Sequence, residues 1–282
     1  MEPVDVARSP DGPELAIYDF GGDGDDLLLA HATGFHAHFW LPVVDHLRSS
    51  FRCWAFDERG HGRSATPADG RFAWEAYAAD ALAVVDRLGL SHPVAAGHSC
   101  GGALLLIAEA DRPGTFPALW CYEPIVFPPA APAHDGPNPL AAGARRRRAT
   151  FPSFDAAYDN YAAKPPFDRL APEALRAYVD HGFEPTDPGD DRGEVTLRCR
   201  PEDEAATYEM GRSHCGWDVL PTIGCPVVVA SGETSDAVPP AIAERQVDRL
   251  PHGRVEVMTG LGHFGPGERP DQVAASIIRA LA

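Results

Sequence analysis

The sequence predicts an α/β protein built on a parallel sheet, with one long insertion between two of its strands. Three observations carry that expectation. Short, continuously apolar runs alternate with longer segments of helical periodicity through the first half of the chain, the pattern of strands buried on both faces and joined by crossover helices. The rhythm breaks after residue 127 and returns with the strand Val227–Ala230. The length, 282 residues, suits one large domain, or a core with one inserted subdomain, able to bury its own core.

The elements follow in chain order. Glu14 to Phe20 reads as an opening strand, closed by the turn Gly21-Gly22-Asp23-Gly24-Asp25. Leu27 to Ala30 is a fully buried strand and Phe39 to Leu47 has helical spacing. Phe51 to Phe56 is the next strand, and Trp74 to Leu88 a strongly amphipathic helix. Pro93 to Ala96 leads into Gly97, Cys100 to Ala110 is apolar at helical length, and Ala118 to Tyr122 is a strand. Residues 128–215 hold a proline-rich stretch, the run Arg145 to Arg148, helical patterns at Phe154–Tyr161 and Pro172–His181, and a Pro/Asp/Gly loop. They read as a mainly helical cap over the sheet's carboxyl edge, leaving 1–127 and 216–282 as the core. Strand Val227–Ala230, helix Pro240–Leu250, strand Arg254–Met258 and helix Pro270–Leu281 close the chain.

Charge narrows the function classes. Lys+Arg 24 against Asp+Glu 41 gives a net charge of −17, a surface that repels phosphate backbones and anionic lipid headgroups. The expected partner is a small molecule, with no nucleic acid and no membrane; the chain would act as monomer or homodimer. No apolar stretch approaches the length of a membrane span, and the first residues lack a signal-peptide pattern, so the expected location is cytoplasmic. The six cysteines are scattered without a C-x-x-C pair and read as free thiols; neither metal nor cofactor is expected.

The most specific signal is Gly97-His98-Ser99-Cys100-Gly101, a G-x-S-x-G between a strand and a helix. A strained turn there lifts a serine hydroxyl above the sheet, and the following backbone N–H, that of Cys100, lies at a helix N-terminus where negative charge is stabilised. The Cys100 thiol lies off the centre of the turn and is not the expected nucleophile. Serine needs a base, itself oriented by an acid. His263, in Gly260-Leu261-Gly262-His263-Phe264 after the last strand, is the expected base. For the acid, Asp236 in the loop after strand 227–231 is preferred, giving the order Ser–Asp–His, and Glu123 at the end of the strand before the insertion is the alternative. Glu233 reads as a turn or hydrogen-bonding residue.

Ser99, Asp236 and His263, with Asp57-Glu58-Arg59-Gly60-His61-Gly62-Arg63-Ser64 and the place of the insertion, resemble the α/β-hydrolase superfamily, and within it the capped serine esterases, lactonases and carbon–carbon bond hydrolases. The resemblance covers about residues 14–127 and 216–280; the cap matches only in placement and helical content. It implies a mostly parallel eight-stranded sheet with helices on both faces and the cap after the sixth strand. It further implies a nucleophilic Ser99, a base at His263 and an acid at Asp236, and a loop 57–64 in which Asp57 and Arg59 hold the fold. The family usually has His-Gly-X after its third strand; here the segment is His31-Ala32-Thr33-Gly34-Phe35, so the second oxyanion donor beside Cys100 is expected at Phe35, with Thr33 as alternative, and His31 supports the loop.

His98, Trp40, Phe127, Trp217 and Phe264 are expected to line the substrate pocket, with Phe151, Tyr158, Tyr161 and Phe167 near the same junction, although each aromatic could equally be core. His36 and His38 read as polar loop residues. The Arg145–Arg148 run reads as a solvated helix with one or two ion pairs; the sharper alternative turns one arginine toward a substrate carboxylate. The expected activity is hydrolysis of a small-to-medium apolar carboxylic ester or lactone. Its rivals are a C–C bond hydrolase for β-diketones or vinylogous acids, a lyase or perhydrolase, and a ligand-binding receptor on the same fold.

Overall fold

In strand β3 (Asp25–Ala30), Leu27 and Leu29 point into one core cluster and Leu28 and Ala30 into another, and all four are fully buried. A strand apolar on both sides must be covered on both sides. The computed structural model describes residues 1–9, 12–129, 138–190 and 192–282. Within it β3 lies near the middle of an eight-stranded sheet. The other strands are β1 (Asp5–Arg8), β2 (Glu14–Gly21), β4 (Phe51–Phe56), β5 (Val94–His98), β6 (Leu119–Tyr122), β10 (Val227–Gly232) and β11 (Gly253–Met258). Their order is β1-β2-β4-β3-β5-β6-β10-β11. Only β2 runs against its neighbours; the remaining pairs are parallel.

Helices cover both faces. On one side α1 (Leu41–Leu47) and α11 (Pro270–Leu281) pack Val43, Leu47, Val273 and Ile277 against Leu27, Leu29 and Trp120. The Trp120 indole N–H donates to Ser276 Oγ at 2.9 Å across that layer. On the other lie α2 (Trp74–Leu88), α3 (Cys100–Asp111) and α9 (Pro240–Val247). Residues 100–109 of α3 are all buried, because that helix is enclosed between the sheet and its neighbours. Strand β1 escaped the sequence reading: four residues with Val6 45% exposed give no buried run, and the strand exists by pairing with β2 at the sheet's edge.

Between β6 and β10 the chain forms helices α4 (Pro139–Arg145), α5 (Phe154–Ala162), α6 (Pro172–Gly182) and α7 (Pro201–Met210). It also forms a three-stranded antiparallel sheet, β7 (Thr150–Phe151), β8 (Phe183–Pro185) and β9 (Val195–Leu197), in the order β7-β9-β8. Strands of two or three residues are too short to show alternation, which is why sequence pattern suggested helices alone. The short α8 (Gly216–Val219) leads back to β10. The insertion rests on the core at several points: Trp74 Nε1 donates to the Thr207 carbonyl at 3.1 Å, Tyr77 Oη and Thr207 Oγ1 are 2.7 Å apart, and the Ala171 N–H donates to Gly267 O at 2.9 Å. Among the described residues no helix is long and apolar enough to cross a membrane.

The loop after β4 is fixed by charge. Arg59 donates to both oxygens of Asp80 at 2.6 and 2.8 Å and to the carbonyls of Arg71 and Ala76, while Asp57 accepts from Tyr18 Oη and from the N–H groups of Ala37 and Arg63. Arg59 and Asp80 are both buried, and losing one partner strands the other's charge out of water. Asp80→Ala should therefore cost about 3–5 kcal/mol of unfolding free energy, measurable as a shift in urea midpoint; a loss under about 1 kcal/mol would mean that the pair behaves like a surface bridge.

Candidate active site

Strand order places the site before any side chain does. From β3 the chain turns one way to β4, then returns to β5 on the other side of β3. At such a reversal the loops beyond the carboxyl ends diverge and leave a crevice. Residues 31–36 leave β3 at this point, and Ser99 leaves β5.

Ser99 has φ 57° and ψ −114°, a left-handed conformation unfavourable for a residue with Cβ. Neighbours enforce it: the Ser99 N–H donates to Tyr122 O at 2.9 Å, and the Gly101 N–H to His31 O at 3.0 Å. A Cβ on Gly97 would lie 2.5 Å from the Gly101 carbonyl oxygen, and one on Gly101 would lie 2.4 Å from Ala30 O. Glycine at both positions is what lets the turn close this tightly.

His263 follows β11, and its Nδ1 lies 2.6 Å from Oε2 of Glu123. The carboxylate also accepts from Ser235 Oγ at 2.7 Å on Oε2 and from the Gly232 N–H at 2.8 Å on Oε1. Glu123 has no exposed surface, and these three donors replace its water. Donation from Nδ1 leaves His263 Nε2 as the free lone pair. The imidazole lies beside the elbow: the ring of His98, adjacent to Ser99 in the chain, is centred 5.0 Å away, and His98 Nε2 is 2.8 Å from the His263 carbonyl oxygen.

The structure thus puts Glu123, not Asp236, on the imidazole. Asp236 is exposed, and it is its neighbour Ser235 that turns inward to cap Glu123. Glu123, with φ 46°, is bent out of β6 toward β10, where a glutamate's extra methylene lets it meet a histidine arriving from β11. Glu233 accepts from the Gly260 N–H at 2.8 Å, a turn-holding bond.

The oxyanion expectation changes as well. The Phe35 N–H is spent on Ala32 O at 3.1 Å, so it is not free for a substrate. The Thr33 N–H makes no hydrogen bond to protein among the described residues, and the Cys100 N–H, first of α3, has no helical carbonyl to bond. The N–H groups of Thr33 and Cys100 are thus both left open at this rim. His31 holds their loop: Nδ1–H donates to Ala32 O at 2.8 Å and Nε2 accepts from the Glu58 N–H at 2.9 Å. Burial pushes the Cys100 thiol well above its ordinary pKa, which keeps it protonated and unreactive.

A model of the alpha/beta hydrolase family matches residues 27–276. The chain belongs to this family. Among curated proteins, the 2-(acetamidomethylene)succinate hydrolase of Mesorhizobium japonicum is 25% identical over 248 residues, covering 86% of this chain and 83% of that protein. Among solved structures, E-2-(acetamidomethylene)succinate hydrolase superposes with a TM-score of 0.82 at 22% identity over 98% of each chain. The enol-lactonase of Burkholderia xenovorans gives 0.75 at 20% identity, over 98% of this chain and 99% of that one.

Around the elbow of this alpha/beta hydrolase the aromatic lining differs from expectation. Phe35 and Phe264, their rings 5.5 Å apart, meet Phe167 and Tyr178 of the insertion. Trp40 is 1% exposed and belongs to the core beneath the sheet with Val43 and Trp120. Trp217 lies under Arg245 and Arg249, and Phe127 under Arg212, and neither ring joins the Phe35 group. His98 is a holder of the His263 segment and not an open wall. The arginine run straddles the end of α4: Arg145 pairs outward with Glu202 and Glu209, Arg148 stacks on Phe151, and Arg147 turns inward to Glu204 and the hydroxyls of Tyr161 and Tyr178. Glu204 and Tyr178 carried no sequence signal, being an ordinary charge and an ordinary aromatic on helices.

His36 and His38, expected as polar loop residues, are 2% and 3% exposed. His38 stacks on His181 of α6 at 3.9 Å and edges against Tyr18, and His36 Nε2 bonds Tyr178 O at 3.0 Å. Burial lowers His36 to about 4 and His38 to about 2, with neighbouring imidazoles adding to the effect on His38. Below pH ~6.5 the unfolded chain binds protons that these folded histidines refuse, so their contribution is complete above that pH and fades as pH falls, by up to ~1.4 kcal/mol per unit per histidine. His38→Phe, which keeps the stack, should flatten the fall in urea-derived stability between pH 6.5 and 4.5; an unchanged slope would assign that limb to carboxylates.

Proposed function

We propose that this alpha/beta hydrolase is a serine hydrolase acting on a small-to-medium, largely apolar carboxylic ester or lactone. The observation that carries the reading is the fully buried Glu123 carboxylate on Nδ1 of His263, at the same rim as a serine strained onto a strand-to-helix turn. Such a donor–acceptor chain has the form that makes a hydroxyl nucleophilic.

In the proposed mechanism His263 Nε2 takes the Ser99 proton as Oγ attacks the carbonyl carbon. Glu123 keeps the imidazole in the required tautomer and stabilises its positive form. The oxyanion rests on the N–H groups of Cys100 and Thr33, each such donor being worth roughly 3–4 kcal/mol. The tetrahedral species collapses as the imidazolium gives its proton to the leaving oxygen, and an acyl-enzyme forms. Water, deprotonated by His263, then releases the acid.

Two features support the substrate class. Phe167 and Phe264, half-buried over the buried Phe35 and Tyr178, offer aromatic surface to an acyl group. Arg147 is answered by Glu204 and two tyrosine hydroxyls, leaving little net charge to reward a substrate carboxylate. The family resemblance to an enol-lactonase structure supports lactones beside esters. The insertion would serve as the cap that closes this chamber.

A fluorophosphonate probe should label the wild type and not Ser99→Ala, and p-nitrophenyl esters of graded chain length should be turned over. Folded protein that does neither would overturn the reading. Glu123→Gln should lower kcat/KM by about 10³–10⁴, as expected when the imidazole loses its orienting carboxylate, whereas Asp236→Asn should stay within about twofold of wild type, as an exposed substitution does. The reverse pattern would restore Asp236 as the acid.

A further inference from the structure

A strip of the insertion, residues 167–171, grips the segment that carries His263. Arg169 Nη2 donates to Glu268 Oε2 at 3.0 Å and to the Gly260 carbonyl at 3.1 Å. The same Glu268 oxygen accepts from the Gly262 N–H at 3.1 Å. Two residues along, the Ala171 N–H donates to Gly267 O at 2.9 Å, and at the other end of the strip the Phe167 ring lies 6.2 Å from that of Phe264. The core holds the segment from beneath: Tyr122 Oη donates to Gly262 O at 2.6 Å, and His98 Nε2 to His263 O at 2.8 Å.

Half of this clamp therefore belongs to the core and half to the insertion. An ion pair on a 47%-exposed arginine would ordinarily count for little. Here its partner is only 7% exposed, and the shared oxygen is also the acceptor for the backbone next to His263. Without Arg169, Glu268 is left nearly buried without its cation, and the Gly262 N–H beside His263 loses the fixed position of its acceptor.

We propose that Arg169 is a positioning residue for the His263 base, so that seating of the insertion and readiness of the base are one event. With the strip in place, Gly260 to His263 are clamped from both sides. Without the strip the upper half of the clamp is lost, and the segment is left to Glu123, Tyr122 and His98 alone. This rests on the Ser99–His263 reading above.

The test compares wild type, Arg169→Ala and Arg169→Lys by the concentration dependence of fluorophosphonate labelling, and by amide exchange over residues 259–266. Arg169→Ala should lower the limiting labelling rate roughly tenfold, less than the hundredfold that a full 1 Å misplacement brings. The probe's apparent affinity should be little changed, exchange in 259–266 should be faster, and Arg169→Lys should recover part of both. A merely structural role would lower the melting temperature and leave the limiting rate of folded protein unchanged, which would overturn the proposal even if exchange rose. Should wild type fail to label at all, the serine-hydrolase reading falls, and the clamp is then judged by local against global opening: exchange in Arg169→Ala that rises in 259–266 alone supports it, and exchange that is unchanged or rises throughout the chain refutes it.

Discussion

Glu123 has no exposed surface, and a carboxylate taken out of water must find its hydrogen bonds in protein. It finds them on three separate pieces of chain: the end of β10 at Gly232, the turn that follows at Ser235, and the loop after β11 at His263. That requirement draws two loops toward one point at the rim of the sheet. It is also why Glu123 adopts a positive φ: the side chain must leave β6 toward the strand that was added after the insertion. The strained serine and the strained glutamate lie at the ends of adjacent strands, and each is held by backbone bonds to a neighbouring strand or loop, Ser99 N–H to Tyr122 O and Glu123 N–H to Ala230 O.

Much of this was legible in the sequence. The central strands announced themselves because both faces are apolar, and the G-x-S-x-G turn because glycine is needed where backbone meets backbone. Asp236 was preferred as the acid because chain order suggested it; only distance could show that Ser235 turns in while Asp236 turns out. Glu123 did carry a signal, a charge at the end of a buried strand, which is costly unless it is used. Phe35 was preferred as an oxyanion donor because a backbone N–H has no sequence signature, and the turn that spends the Phe35 N–H on Ala32 O is invisible until folded.

Elsewhere pattern failed for want of length or contrast. Strand β1 and the small sheet of the insertion are shorter than any period that could reveal them. Trp40 and Trp217 are aromatic like the Phe35 group, and composition does not tell one cluster from another. His36 and His38 sit in a loop by sequence, yet the loop is roofed by α6, so what reads as polar surface is interior. The arginine run divides by geometry: the helix ends at Arg145, and the turn beyond it aims Arg147 inward and Arg148 out.

The position of Glu123 ahead of the insertion has a consequence for how the molecule can change. Ser99 and Glu123 stand at the ends of neighbouring strands, separated by one crossover helix, and both are in place before the chain departs into the insertion. A longer, shorter or wholly different excursion at this point leaves their relative geometry alone. Only the histidine has to be brought back from the far side. Variation in the excursion is thereby confined to what covers the rim of the sheet, and the Ser99–Glu123 geometry beneath it is left as it was.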